Sequence, residues 1–505
     1  MDQAIVAAGR TVGKASFKER VRKAAQGFTS IGIGRGDCVA ILMRNDLAFL
    51  EATLAAQSVG AYAVPVNWHF TPDEILYVVD DCAPRLLVGH SDLLASITGR
   101  LSPKTRALTV PTPTAIADAY RVPADRCALP PDAAVWDDWL NAFEPASGEQ
   151  PAATDSLIYT SGTTGKPKGV RRQPADPALA PINEKMRAQV YGIGEGARVM
   201  VAAPLYHTAP NFFALRAVRL GDVLVLAERF DPQTFLADIE RHRITHIYAV
   251  PTMFVRLLEL DDAIRSRFDL SSLEFVLHAG GPCPAAVKLK MIEWLGPVLC
   301  EYYGSTEHGP ITFCTSHDWL THKGTVGRPV TGVTLEIHDE DGNALPPRQV
   351  GEIVARNSAH PDFTYHNLPE ERAKLQQGDL IRSGDVGYLD PDGFLYLCDR
   401  KRDMIISGGV NIYPAEIEAT LAECTGVRDS AVFGLPDDTY GEKVMAVVQP
   451  MPGVPIEPER IREFLKGRLA SYKIPRHIEI VHDLPREESG KIRKRLIRDR
   501  YLSHQ

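Results

Sequence analysis

Residues 159–170 read YTSGTTGKPKGV, and no other stretch of the chain gathers as much phosphate-binding chemistry. The hydroxyls of Thr160, Ser161, Thr163 and Thr164, with unhindered backbone N–H groups, are donors for phosphate oxygens. Gly162, Gly165 and Gly169 permit close backbone approach, and Lys166 and Lys168 neutralise charge. A short apolar strand (LIYT) leads into the loop, an arrangement able to wrap a triphosphate. The loop is not a Walker A sequence. There the lysine precedes a Ser or Thr that binds magnesium at the start of a helix, whereas Lys166 is followed by Pro167, which lacks both a hydroxyl and an N–H. By composition alone such a loop also reads as a surface turn; the full string is what makes it specific.

On that string the chain resembles the adenylate-forming superfamily, which includes acyl-CoA synthetases, the adenylation domains of peptide synthetases and firefly luciferase. The acyl-CoA synthetase or fatty-acid–CoA ligase branch is the nearest fit, and the resemblance spans essentially the whole chain. It implies that the loop carries pyrophosphate, with Thr160, Ser161, Gly162, Thr163, Thr164 and Lys168 as ligands of the β- and γ-phosphates. EYYGSTEHG (301–309) resembles the adenine and metal segment. That likeness puts Tyr303 against adenine with Gly304 beside it, Thr306 at the α-phosphate and Glu307 on Mg²⁺. HAGGP (278–282) ends a strand in small residues, so the backbone at Gly280 and Gly281 suits the lining of an adenine or acyl pocket; alone it reads as a tight turn. Asp385, in SGDVGYLD, resembles the aspartate that accepts from both ribose hydroxyls, and Arg400 the arginine that reaches ribose or phosphate.

The family's chemistry follows from a limitation of the substrate. A carboxylate is a poor electrophile because its charge is delocalised, and ATP supplies a leaving group while the site screens charge on both reactants. Lys491, in ESGKIRKR, is the expected adenylation lysine, its ammonium bridging the carboxylate and the α-phosphate. Read without the family, it belongs to a basic C-terminal run. Family members rotate a C-terminal lid between two half-reactions. In the thioester-forming pose Ser407, Gly408, Gly409, Asn411 and Tyr413 would face the acyl-adenylate and leave a channel for pantetheine. The implied cofactors are therefore ATP, Mg²⁺ and coenzyme A. A ligase that loads the phosphopantetheine of a carrier protein, and a non-catalytic sensor of acyl-adenylate, are the alternatives.

PLYHTAPNFF (204–213) resembles the segment that gates and lines the acyl pocket, with His207 at the carboxylate end. It contains no Asp or Glu to pair an α-ammonium group, which argues against amino acids. The neighbouring AGGP and STEHGPITF segments hold no Arg or Lys to capture a second carboxylate. A hydrophobic monocarboxylic acid (fatty, aryl or polycyclic) is the expected substrate.

These groups need a large scaffold, and 505 residues at 44% hydrophobic and 24% charged supply one. Net charge −8 and pI near 6.0 argue against a nucleic-acid partner. The eight cysteines are scattered, with no CxxC pair, as in a reducing cytoplasm. No stretch reaches the ~18 apolar residues of a membrane span, although peripheral membrane contact is compatible with the sequence. The expected fold is α/β: a large N-terminal domain of two doubly wound α/β units plus a small β-rich subdomain, and a small mobile α+β lid. Apolar blocks from 37 to 89 alternate as β-α-β-α-β, residues 101–150 read as irregular surface winding, and the strand at 157–160 reads as resuming the alternation. The Asp341-Gly342 and Asp392-Gly393 pairs mark hairpins. The expected boundaries are 1–399 for the AMP-binding domain, 400–402 for the hinge and 403–505 for the lid.

Overall fold

A computed structural model describes residues 3–147, 154–160, 166–174, 176–407, 410–437, 440–486 and 492–502. The first apolar blocks build a four-stranded parallel sheet in the order Tyr62–Pro65, Cys38–Leu42, Leu86–His90, Arg106–Val110. Its inner strands are buried along their whole length, as expected where helices cover both faces of a parallel sheet. The helices that do so begin at sequence-encoded caps. Asp46 precedes Leu47–Ser58, and Thr71 with Glu74 forms a capping box ahead of Pro72–Cys82.

Two expectations are corrected here. Residues 101–150 are not merely surface winding, because Arg106–Val110 is the fourth parallel strand and Trp136 is buried, its indole N–H donating to Glu51 at 2.9 Å. Proline-rich flanks conceal that strand from a periodicity reading. The Ile158–Thr160 strand does not continue the parallel alternation either. It turns back on Lys168–Arg172 as an antiparallel hairpin, joined by Phe363–Tyr365 in a separate three-stranded sheet. The connecting loop is too short for the crossover that a parallel partner requires.

The second unit is a nine-stranded sheet. Strands Ala4–Ala7, Val223–Leu226, Arg198–Val201, His246–Ala249, Phe275–His278 and Leu299–Ser305 run parallel through its centre, and hairpins close both ends antiparallel. Parallel strands all end on one side, so the segments after Val201, Ala249 and His278 and the turn after Ser305 meet there, which is where open α/β sheets bind ligands. The β-rich subdomain pairs Val333–His338, Gly351–Asn357 and Leu380–Leu389, and Leu395–Arg400 joins the last of these. Both expected hairpin turns form, with Gly342 at φ 88° and Gly393 at φ 80°.

From Ile405 onward the chain builds its own sheet (Val410–Ile412, Ile405–Ser407, Gly441–Pro450, Val427–Asp437, with His477–Ile480 alongside) over a core that includes Ile412, Ile417, Leu421, Val432 and Leu465. Residues 401–403 form the turn between this sheet and the β-rich subdomain. No helix among the described residues is long and apolar enough to cross a membrane.

Candidate active site

The phosphate hairpin stands over the carboxyl side of the nine-stranded sheet. Thr160 and Lys168 pair across its base, while Ser161, Gly162, Thr163 and Thr164 at its tip lie outside the described residues. The Lys168 ammonium sits 2.7 Å from Glu371 and 5.4 Å from the centre of the Tyr365 ring. Lys168 and its neighbour Lys374 together hold the Glu371 carboxyl down at about 2. The Tyr365 hydroxyl donates to Glu307 Oε1 at 3.1 Å, and burial followed by that carboxylate pushes its pKa up. Tyr365 thus joins the lysine expected at the phosphates to the glutamate expected at the metal.

Glu307 and Thr306 lie in the turn between Leu299–Ser305 and Gly309–Thr315. The strand register shifts at Gly304, where a Cβ would stand 2.2 Å from the Gly309 carbonyl oxygen, so only glycine allows the two backbones so close. His308 anchors the turn from below. Its Nε2 donates to the Ile381 carbonyl at 3.1 Å, leaving Nδ1 to accept from the Ser305 hydroxyl at 3.0 Å, and burial lowers its pKa. Arg172, at the end of the phosphate hairpin, donates to the Thr306 carbonyl at 2.5 Å and to the Pro361 carbonyl at 2.9 Å. Its guanidinium is buried, which lowers its pKa to about 10, a value at which it stays charged at neutral pH.

The same turn meets the acyl side. The Thr306 and Thr208 hydroxyls are 2.6 Å apart, and Thr208 opens the helix Thr208–Leu220, for which His207 is the N-cap. His207 thereby precedes the residue that touches Thr306, at the positive end of the helix dipole, which suits a carboxylate or phosphate. Asn211 holds this helix start through the Leu205 carbonyl at 2.9 Å and Ser156 at 3.2 Å. Gly280 adopts φ 86° after the Phe275–His278 strand, and a Cβ on Gly281 would meet nothing within 4 Å, so this loop presents bare backbone to open space.

On the other flank Tyr303 donates its hydroxyl to Asp385 Oδ2 at 2.6 Å, and Arg400 Nε lies 3.5 Å from Asp385 Oδ1. Burial, then the carboxylate, raises the Tyr303 pKa far above its ordinary value. The Tyr303 ring and the Asp385 carboxylate are thereby neighbours, an arrangement that suits a base against the ring and a ribose beside the carboxylate. Asp399 Oδ2 accepts the Ala415 N–H at 2.7 Å, at the start of the helix Pro414–Ala422. Arg428 of the C-terminal domain pairs with Glu259 of the N-terminal domain at 2.9 Å. Gly408, Gly409 and Lys491 lie outside the described residues. Lys494, three positions beyond Lys491, is half-buried and pairs with Glu418 at 2.7 Å, which fixes the start of the helix Lys494–Leu502.

Contacts therefore link Lys168 to Glu307 through Tyr365, Thr306 to the start of the helix that His207 caps, and Tyr303 to Asp385 and Arg400, while Gly280 and Gly281 follow the strand that pairs with Leu299–Ser305. Sequence reasoning missed Arg172, Thr208, Tyr365 and Glu371. Arg172 follows closely on the 159–170 segment and Thr208 lies within 204–213, and their types are a usable signal. Tyr365 and Glu371 lie in an ordinary-looking stretch, FTYHNLPEE, that only the three-stranded sheet brings into position.

Comparison with known proteins covers nearly the whole chain. The AMP-binding enzyme model matches residues 2–360, and the AMP-binding enzyme C-terminal domain model matches residues 416–491. The chain is 32% identical over 502 residues to a feruloyl-CoA synthase of Amycolatopsis sp, covering 98% of this chain and 94% of that protein. It is similar in structure to the amide bond synthetase McbA from Marinactinospora thermotolerans, with TM-score 0.85 and 29% identity over 99% of this chain and 97% of that one. It is also similar to the anthranilate CoA ligase AuaEII in complex with anthranoyl-AMP, with TM-score 0.86 and 26% identity over 100% of this chain and 95% of that one.

Proposed function

The chain belongs to the AMP-binding, adenylate-forming enzyme family, and from that premise we propose that it joins a hydrophobic monocarboxylic acid to the thiol of coenzyme A at the expense of ATP. The acid attacks the α-phosphate, pyrophosphate leaves, and the thiol then displaces AMP from the acyl-adenylate. The observation that carries this reading is the Thr306–Glu307 turn. One residue of it touches the start of the acyl-pocket helix through Thr208, and the next reaches the phosphate hairpin through Tyr365. Carboxylate, α-phosphate and pyrophosphate are thereby assigned to three sides of a single turn.

Each residue's work follows from its place. Asp385 and Tyr303 bind ribose and base, and Lys168 exchanges Glu371 for phosphate oxygens when ATP enters. The Thr208 helix terminus and Thr306 orient carboxylate and α-phosphate for in-line attack, which is where an enzyme of this type gains most of its rate. A single carboxylate beside the phosphates fits Mg²⁺, which binds proteins through one or two carboxylates and substrate phosphates. Glu307 would hold it, and the ion would supply charge neutralisation on the departing pyrophosphate. Lys491 is assigned the bridge between carboxylate and α-phosphate in the first half-reaction. Residues 403–505 are assigned to a lid that turns about 400–402, bringing Gly408 and Gly409 to the acyl-adenylate for the second. The separate lid core and the placement of 401–403 between two sheets support that division.

Pyrophosphate release measured over a panel of fatty, aryl and polycyclic acids, with and without coenzyme A, tests the proposal. Release with at least one acid and thioester formation on adding coenzyme A are expected. Absence of release with every acid refutes adenylation, and release without thioester transfers the second step to a carrier-protein or amine acceptor. Lys491→Ala is expected to abolish adenylation and leave thioester formation from supplied acyl-adenylate largely intact; equal loss of both refutes the two-pose lid.

A further inference from the structure

Three arginines are buried among the described residues, and they differ in what faces them. Arg44 is 6% exposed and donates to both oxygens of Asp92, at 3.1 and 3.0 Å. Arg216, 8% exposed, makes the same fork with Glu184, at 3.0 and 2.6 Å. Arg172 is as deeply buried as Arg44, yet among the described residues its hydrogen-bond acceptors are the backbone carbonyls of Thr306 and Pro361. The Phe363 ring lies 5.7 Å from its guanidinium carbon. Asp155, Glu307 and Asp362 act on it from beyond ion-pair distance, and burial outweighs them. Carbonyls satisfy N–H groups but cancel no charge, so this cation is a burden on the fold that an apolar side chain of similar length would not be.

Its place in the hairpin says which charge it awaits. In the strand Lys168–Arg172 the alternation puts Lys168 and Arg172 on one face, and Arg172 stands opposite Phe363 in the partner strand Phe363–Tyr365. Lys168 at one end meets Glu371, and Arg172 at the other meets Thr306. Thr306 turns its carbonyl to Arg172 and its hydroxyl to Thr208, so the guanidinium lies directly behind the residue assigned to the α-phosphate. The histidine nearby adds no second charge, because burial, then Arg172 and Arg187, hold the His360 pKa well below its ordinary value. The missing negative charge is one that the reaction itself brings.

We propose that Arg172 is a positioning residue for adenylation: from behind Thr306 its guanidinium fixes the Thr306–Glu307 turn and sets a permanent positive field beneath the phosphates of the nucleotide. The inference rests on the adenylation reading and deepens it. In that step a carboxylate oxygen bonds to the α-phosphorus while the bond from that phosphorus to the bridging oxygen breaks, and pyrophosphate leaves with the electron pair. Negative charge gathers on the free oxygens of the α-phosphate before pyrophosphate departs. A cation already dehydrated and already fixed stabilises that charge without reorganisation. Arg172 exchanges no proton and touches no reacting atom. Lys168 has to release Glu371 before it can serve the phosphates, whereas Arg172 has no carboxylate to release.

The test reads binding rather than turnover: the affinities of the intact chain for adenosine, AMP and ATP, measured by calorimetry without magnesium, in wild type, Arg172→Met and Arg172→Lys. In Arg172→Met the loss is expected to grow with phosphate charge, from less than about twofold for adenosine, through AMP, to about tenfold for ATP. Arg172→Lys keeps the charge and is expected to recover most of the ATP affinity. Equal weakening of all three ligands overturns the proposal, since it reveals a residue that only shapes the pocket, and undiminished ATP binding overturns it too. Should Arg172→Met fail to fold, Arg172→Lys decides alone: a ratio of ATP to adenosine affinity within about threefold of wild type upholds the field, and a larger fall overturns it. Wild type that binds none of the three overturns the adenylation reading itself, an outcome distinct from nucleotide binding that ignores Arg172.

Discussion

His278 is the last residue of the strand that carries the glycine loop, and it is fully buried. Neither ring nitrogen has a hydrogen-bond partner among the described residues, and the Phe254 ring meets it edge-on at 5.4 Å. Glu301 lies 3.8 Å from Nε2, but its carboxylate is already taken by Lys288 at 2.5 Å. Burial outweighs the attraction of Glu301 and lowers the histidine pKa from 6.5 to about 4. The unfolded chain therefore binds a proton below pH 6.5 that the folded chain refuses until about pH 4. Stability from this residue is complete above pH 6.5 and is lost as pH falls towards 4. At about 1.4 kcal/mol per pH unit, the loss across the window is about 3 kcal/mol. The perturbation is His278→Leu, which removes the titration and leaves the Lys288–Glu301 pair in place. Urea unfolding followed by tryptophan fluorescence should give wild type a stability that declines from pH 7.5 to 4 by about 3 kcal/mol more than that of the variant. Parallel curves for the two proteins would falsify the assignment of a neutral, desolvated histidine behind the glycine loop.

Three other substitutions probe the cleft. Tyr365→Phe removes the hydroxyl that holds Glu307, and a hydrogen bond to a charged group is worth about 1.5–3 kcal/mol; pyrophosphate release is expected to drop by at least tenfold in kcat/KM with little change in thermal stability, and an unaltered rate would show Glu307 positioned without it. Glu371→Gln frees Lys168 from its ion pair, so the KM for ATP should fall by a few-fold, whereas a rise would mean that Glu371 aids nucleotide binding. Gly304→Ala places a Cβ against the Gly309 carbonyl, and overpacking of this kind costs about 1–3 kcal/mol; a lower melting temperature with impaired adenylation is expected, and a variant indistinguishable in both refutes the close-approach argument.

Much of the site was legible in the sequence because its chemistry is local. The phosphate loop, the YGSTE turn and the SGD segment each carry their donors and acceptors on consecutive residues, so residue type and order alone identify them. The parallel strands were equally legible, being short, wholly apolar and separated by capped helices. Whatever depends on contacts between distant segments needed the fold. Arg106–Val110 is a strand because an open sheet edge lies beside it, and Ile158–Thr160 turns back on its own hairpin because its loop is short. The links Tyr365 to Glu307, Thr208 to Thr306 and Tyr303 to Asp385 cross separations of 58, 98 and 82 residues, and no local pattern encodes them.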